Sequence, residues 1–159
     1  MRKQFLETLT ELAEKDNKII FVTFDVGFSF VEQFKERFPK QYLNAGICEQ
    51  TGIGLAAGLA QEGLKPYVYT MRNFILLRPL EQLRNDICFA NSNVKLFGVQ
   101  GSAAYRFLGA SHNMFPGEEE AILGVLRNIH LATYTPSEES IKDQMLLEYQ
   151  RSGPAYFGI

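Results

Sequence analysis

Cysteine, long apolar runs and an excess of either charge are what this sequence is short of, and each shortage removes a class of function. Its two cysteines, Cys48 and Cys88, form no CxxC pair, so no disulfide framework organises the chain, and they read as the reduced thiols of a cytosolic protein. No apolar run approaches the ~20 residues that span a bilayer. The charged start MRKQFLETLTELAEKD lacks the form of a signal peptide. A net charge of −2 points to neither nucleic acid nor a membrane surface as partner. Repeats and low-complexity segments are absent as well.

What is present is a chain of 159 residues, 46% hydrophobic and 21% charged. As one domain over residues 1–159 it is long enough to bury about two thirds of its unfolded surface. With so few charges, part of its surface is expected to face another subunit. Phe5, Leu6, Leu9, Leu12 and Ala13 fall on one face of a helix over 3–15. The run KIIFVTF over 18–24 has the β-branched and aromatic character of a strand covered on both faces. Ser29 is placed to cap a helix whose buried stripe is Phe30, Val31 and Phe34, and Pro39 stops it. Further strands over 42–47, 66–70, 94–99, 131–134 and 155–158 alternate with helices starting at Glu49 and over 77–90, 119–126 and 137–149, the last opened by Pro136. A stretch of little periodicity, 100–117, reads as a functional loop. The alternation predicts an α/β fold, a three-layer α/β/α arrangement around a mostly parallel sheet of about six strands, with ligands at the carboxyl ends of the strands. Asp25 and Ser29 follow strand one, Glu49 strand two, Met71 to Phe74 strand three, and Gln100 to His112 strand four.

The chain is organised around YLNAGICEQTGIGLAAGLAQEG, residues 42–63. A carboxylate, Glu49, stands where strand passes to helix, and Gly52, Gly54, Ala56, Ala57, Gly58 and Ala60 leave that helix little beyond backbone. Each helical glycine costs roughly 1 kcal/mol relative to alanine, so several together suggest another backbone, or a flat ligand, coming close. A dinucleotide fingerprint is the rival reading of these glycines, with Arg72 meeting a 2′-phosphate. Cys48-Glu49-Gln50-Thr51 after Ile47 puts them inside the helix, away from the turn a fingerprint needs.

GICEQTGIGLAAGLAQEGLKPYVYT, followed by FILLRPLEQLRND, resembles the pyrimidine-binding module of transketolase-type, thiamine-diphosphate-dependent enzymes. The resemblance runs from ELAEKD through DVGFS and ASHNM to GPAYFGI. It implies the thiamine-diphosphate-binding fold and transfer of a two-carbon ketol unit. Glu49 matches the family glutamate that hydrogen-bonds the cofactor's aminopyrimidine, and burial in a largely apolar pocket would keep a proton available there. Phe74 matches a phenylalanine packed on that ring, Met71 stands where another aromatic is usual, and Asp25 matches an acidic residue near the thiazolium. Ser29 and His112 match substrate-facing residues. Gln100 replaces a histidine, Leu108 or a neighbour replaces an aspartate, and a phosphate-holding arginine expected near the last strand is Gly158 or lies beyond it. These departures argue against an ordinary pentose-phosphate substrate, and Arg106 marks a different acceptor. The substrate class that the resemblance implies is a sugar or sugar phosphate.

No GDG motif is present. The diphosphate and its Mg2+ (or Ca2+) would therefore be held by a partner, a transketolase N-terminal-section subunit, and this chain holds no metal. The resemblance implies a split gene and an α2β2 assembly containing a homodimer of this chain, with the helix from Gly52 to Ala60 near the symmetry axis, in the cytoplasm, without nucleic acid or membrane. Alternatives are a β-type subunit of a thiamine-dependent 2-oxo acid dehydrogenase, decarboxylase or synthase, which the helix from Arg78 to Asn85 disfavours, and a non-catalytic structural subunit.

Overall fold

The structure, a computed structural model, describes residues 1–101, 103–132 and 138–159. In chain order its elements are α1 (Arg2–Ala13), β1 (Ile19–Thr23), α2 (Glu32–Arg37), β2 (Tyr42–Asn44), α3 (Glu49–Gln61), β3 (Lys65–Met71), α4 (Arg72–Leu77) and α5 (Leu80–Gln82). A π-helical run, Leu83–Phe89, precedes β4 (Lys95–Val99). A 3-10 run, Ala103–Ser111, precedes α6 (Glu118–Val125), β5 (His130–Leu131), α7 (Glu138–Gln150) and β6 (Ala155–Gly158).

Six strands pair in the order β2-β1-β3-β4-β6-β5, every pair parallel. Strand alternation sorts the core by chemistry. Phe21, Tyr67, Tyr69, Phe97 and Phe157 point to one face, where Phe5 of α1 packs among them and α2 and α7 add Phe34, Ile141 and Met145. Phe5 lies 4.4 Å from Phe97 and 5.3 Å from Tyr69, ring centre to ring centre. Their neighbours Val22, Val68, Leu96 and Tyr156 turn to the other face, against α3, α4, the π-helical run and α6. This gives the expected three layers. The chain leaves β1 toward β2 on one side and leaves β3 toward β4 on the other, so the crevice at their carboxyl ends is a topological switch point.

Gly52 explains part of the small-sided helix. A Cβ there would overlap the ring of Phe24, whereas one at Gly54 or Gly58 would meet nothing within 4 Å.

Several local expectations are corrected. Strand two ends at Asn44, not 47, because Gly46 turns the chain with φ 71°. Ser29 caps no helix: α2 begins at Glu32, and the Ser29 N–H donates to Glu32 Oε1 at 3.0 Å. Helix begins at Arg72, directly after β3, and not at 77. Pro79, which has no N–H to continue the ladder, breaks it before α5 and the π-helical run. The aperiodic stretch 100–117 contains the 3-10 run, kinked at Gly109. The fifth strand is His130–Leu131, and residues 133–137, which carry the end of the expected strand and the expected helix start, lie outside the described residues.

Candidate functional site

Two cavities open at the carboxyl ends of the strands. The larger, about 500 Å³, lies between the segment after β1, the start of α3 and the β3–α4 junction. The smaller, about 450 Å³, lies between α4, the 3-10 run and α6. Val99, Gln100, Gly101 and His112 line both, so the two are lobes of one cleft divided at the end of β4.

Glu49 opens α3, where unsatisfied backbone N–H groups and the helix dipole favour a negative charge. Its side chain is 3% exposed, and its Oε1 lies 2.6 Å from Arg78 Nη1. The expected pocket was largely apolar; the observed one brings a cation to the carboxylate. Arg78 follows α4, and its guanidinium carbon stands 3.7 Å from the centre of the Phe74 ring. Phe74 and Arg78 are four residues apart, the spacing that puts side chains on one helix face. That spacing is the signal that would have made Arg78 a site residue.

Phe74 is buried in the cavity wall and meets His112 edge-on at 5.0 Å. His112 is fixed from two further sides, by the Ser111 hydroxyl 2.8 Å from Nδ1 and by the Tyr105 ring, nearly parallel at 6.4 Å. Met71 joins the same wall. Thr70 Oγ1 is fully buried there with no partner among the described residues. A buried hydroxyl normally has one, so the wall keeps an open hydrogen-bonding position.

Asp25 lies at the rim, exposed, with φ 53°, a region sparsely populated by non-glycine residues. Its N–H donates to Asn44 Oδ1 at 3.0 Å, and the Gly46 N–H donates to the same oxygen at 2.9 Å. Asn44, which sequence reasoning missed, thereby ties together the ends of β1 and β2. Ser29 is exposed at φ 60° and lines neither cavity. Gln100 is exposed and lines both lobes, while Arg106 lines only the smaller.

Around the smaller lobe the missed residue is Arg72. Its Nη1 pairs with Glu119 Oε2 at 2.7 Å and its Nε donates to the Gly98 carbonyl at 3.3 Å, while the Tyr156 hydroxyl donates to Glu119 Oε1 at 2.6 Å. A Cβ on Gly158 would meet Glu119 at 2.8 Å and Arg72 at 3.1 Å. The sheet end is bare so that this network fits. The arginine that the resemblance expects at or after position 158 is absent, Gly158 standing there, and Arg72 reaches that end of the sheet from the start of α4. Such a cleft offers a flat ring a face to lie on, a buried carboxyl group and a hydroxyl for its polar edge, and a polar lobe beside it.

The family described as "Transketolase, pyrimidine binding domain" matches residues 1–157. A protein from Phocaeicola vulgatus, named as one of the subunits of an apulose-4-phosphate transketolase, is 42% identical over 113 residues, 70% of this chain and 36% of that protein. A protein from Methanocaldococcus jannaschii described as a transketolase C-terminal section is 34% identical over 130 residues, 81% of this chain and 40% of its own length. Among solved structures, a split-gene transketolase described as an inactive β4 tetramer superposes with a TM-score of 0.85 at 29% identity, covering 99% of this chain and 49% of that one. A transketolase variant from Pichia stipitis, at 17% identity and a TM-score of 0.76, shares the fold. The chain spans two fifths or less of the length of the curated relatives it matches.

Proposed function

The chain belongs to the transketolase pyrimidine-binding domain family, and from that premise we propose that it is the pyrimidine-binding subunit of a split transketolase-type enzyme that moves a two-carbon ketol unit with thiamine diphosphate. The observation that carries this reading is Glu49, buried at the start of α3 in a cavity whose wall is Phe74, Met71 and the Thr70 hydroxyl, which has no partner among the described residues. Those groups fit an aminopyrimidine: a ring face, a carboxyl group for a ring nitrogen and an acceptor for an amino group. Bound thiamine diphosphate supplies the nucleophilic carbon that takes up the ketol unit. Glu49 holds a proton at its carboxyl oxygen against the ring nitrogen, Phe74 and Met71 orient the ring, and Asp25 offers a negative charge to the cationic end.

His112, held by Ser111 and Tyr105, and Gln100 stand where the two lobes meet and would bind the hydroxyls of a sugar or sugar-phosphate substrate, with Arg106 and Arg72 in the polar lobe. The role of Ser29 requires its exposed hydroxyl to reach the substrate from outside the cavity wall. The diphosphate and its Mg2+ or Ca2+ belong to a diphosphate-binding partner subunit in a cytoplasmic α2β2 assembly. Exposed Phe28 and Ile47 at the rim of the larger lobe support a covering partner. Leu55, exposed between the open faces of Gly54 and Gly58, supports a second copy against α3. Residues 1–159 would form one such domain. A 1-deoxy-D-xylulose-5-phosphate synthase from Haemophilus influenzae is 38% identical over 157 residues, which favours synthase chemistry as a second reading, distinguished by release of CO2 from a 2-oxo acid.

Calorimetric titration of thiamine diphosphate with Mg2+ into the chain alone, and into its mixture with the diphosphate-binding subunit, tests the proposal. Binding is expected in the mixture and weak or undetectable for the chain alone. No binding in the mixture would sink it.

A further inference from the structure

Arg78 has no part in the chemistry above, yet it occupies both features on which that chemistry depends. Its guanidinium covers the face of Phe74 at 3.7 Å and holds Glu49 Oε1 at 2.6 Å. One face of a ring cannot carry a guanidinium and a heteroaromatic ring at that separation together. Arginine stays cationic at any working pH, and its ion pair occupies the carboxyl oxygen that the proposed role offers to the cofactor's ring.

The two halves of the pair differ in what separation costs them. Arg78 is 41% exposed and its head can turn into water, whereas Glu49 is 3% exposed. A buried carboxyl group that loses its cation is left uncompensated unless a new hydrogen-bonding partner takes the cation's place. Arg2, Asp25, Tyr69, Tyr105 and His112 also border the cavity, but among the described residues Arg78 is the cation paired with Glu49.

We propose that Arg78 is a positioning residue that fills the pyrimidine slot and holds Glu49 until the cofactor's ring displaces it, so that ring binding and release of the Arg78–Glu49 pair are one coupled event. No covalent bond is made or broken. The inference rests on the function proposed above.

The test titrates thiamine diphosphate and Mg2+ into the complex with the diphosphate-binding subunit. It compares wild type with Arg78→Met, which keeps the length of the side chain without its charge. The variant is expected to bind roughly two- to fivefold more tightly, with no ion pair to break. Equal or weaker binding by R78M, with its melting temperature unchanged, overturns the proposal.

A second measurement needs no cofactor: the 15Nε resonance of Arg78 in the chain alone. It should be displaced from its position for a solvated guanidinium in wild type and return to that position in E49Q. This separates the two readings. A displaced resonance with no cofactor binding by the mixture would remove the function and retain the pair, whereas cofactor binding with an undisplaced resonance would remove the gate and retain the function.

Discussion

The two ends of the sheet use similar residues to opposite effect. At the amino ends of the strands, charges are spent on each other. Asp16 accepts from Lys65 Nζ at 2.7 Å, from the Tyr149 hydroxyl at 3.0 Å and from the Lys18 N–H at 2.9 Å. Lys95, buried at the start of β4, donates to the carbonyls of Gly153 at 2.7 Å and Arg151 at 3.0 Å. Glu148 lies 2.8 Å from Arg151 Nε and 2.6 Å from His130 Nδ1. The Tyr67 hydroxyl, buried there with no partner among the described residues, is an exception. At the carboxyl ends Asp25, Gln100 and Arg106 are exposed, Phe28 and Ile47 stand in solvent, and the Thr70 hydroxyl likewise has no partner among the described residues. One end closes the fold, and the other holds binding capacity in reserve, as a site drawn from less stabilised structure requires.

The sharpest way to break that contrast is Glu49→Gln in the proposed complex with a diphosphate-binding subunit. Loss of a positioned proton donor should lower turnover by roughly 10²- to 10⁴-fold, with the melting temperature within a few degrees of wild type because Arg78 can turn to solvent. Unchanged turnover would remove Glu49 from the chemistry.

At the other end, burial holds the Lys95 ammonium down to about 8, with the Arg151 charge beside it adding to the effect and Glu148 opposing it. The unfolded chain binds this proton up to the ordinary value of 10.5, so between those values it holds more protons than the folded chain, and the Lys95 contribution makes stability rise with pH. Cys88, pushed by burial from 9.0 up to about 11, acts in the other direction. The Lys95 contribution is therefore read as wild type minus Lys95→Met in urea unfolding at several pH values. It should rise with pH by about 2 kcal/mol between 8 and 10.5. A flat difference would mean that Lys95 is solvated.

The smallest expected effect is that of Asp16→Asn. Burial works against the charge of Asp16, but hydrogen bonds from Lys65, Lys18 and Tyr149 outweigh it and hold the carboxyl below its ordinary 3.8. Its contribution is present at neutral pH and fades as pH falls through that lowered value. The substitution should cost about 1 kcal/mol of unfolding free energy at pH 7 and leave cofactor binding in the complex unaltered. A loss of binding would mean that the two ends are coupled.

Sequence made most of the fold legible. Helix α1, strands β1, β3, β4 and β6, and the parallel arrangement all follow from local periodicity, which reports burial one face at a time. The residues now seen around the larger lobe, Glu49, Phe74, Met71, Asp25, Gln100 and His112, were named from their places at strand ends and from family resemblance. The reading of Ser29 as a helix cap failed because its positive φ and its bond to Glu32 depend on how the segment after β1 folds back. The π-helical run was missed because a π turn and an α turn share nearly the same apolar spacing. Arg78 appeared only as part of a motif, and Arg72 only within a rival reading.

Sequence by itself determined the order of strands and helices, the aromatic and aliphatic faces of the sheet, and the carboxylate at the start of α3, since each depends on residues adjacent along the chain. Only the tertiary structure decided that Arg78 lies on Phe74 and holds Glu49, that Arg72 lies beside Gly158, and that two lobes share the end of β4. With the exception of Phe74 and Arg78, the paired residues stand 29 or more positions apart, and no local pattern specifies which distant charge meets which. That choice is made when the helices close on the sheet and each buried charge needs a partner within reach.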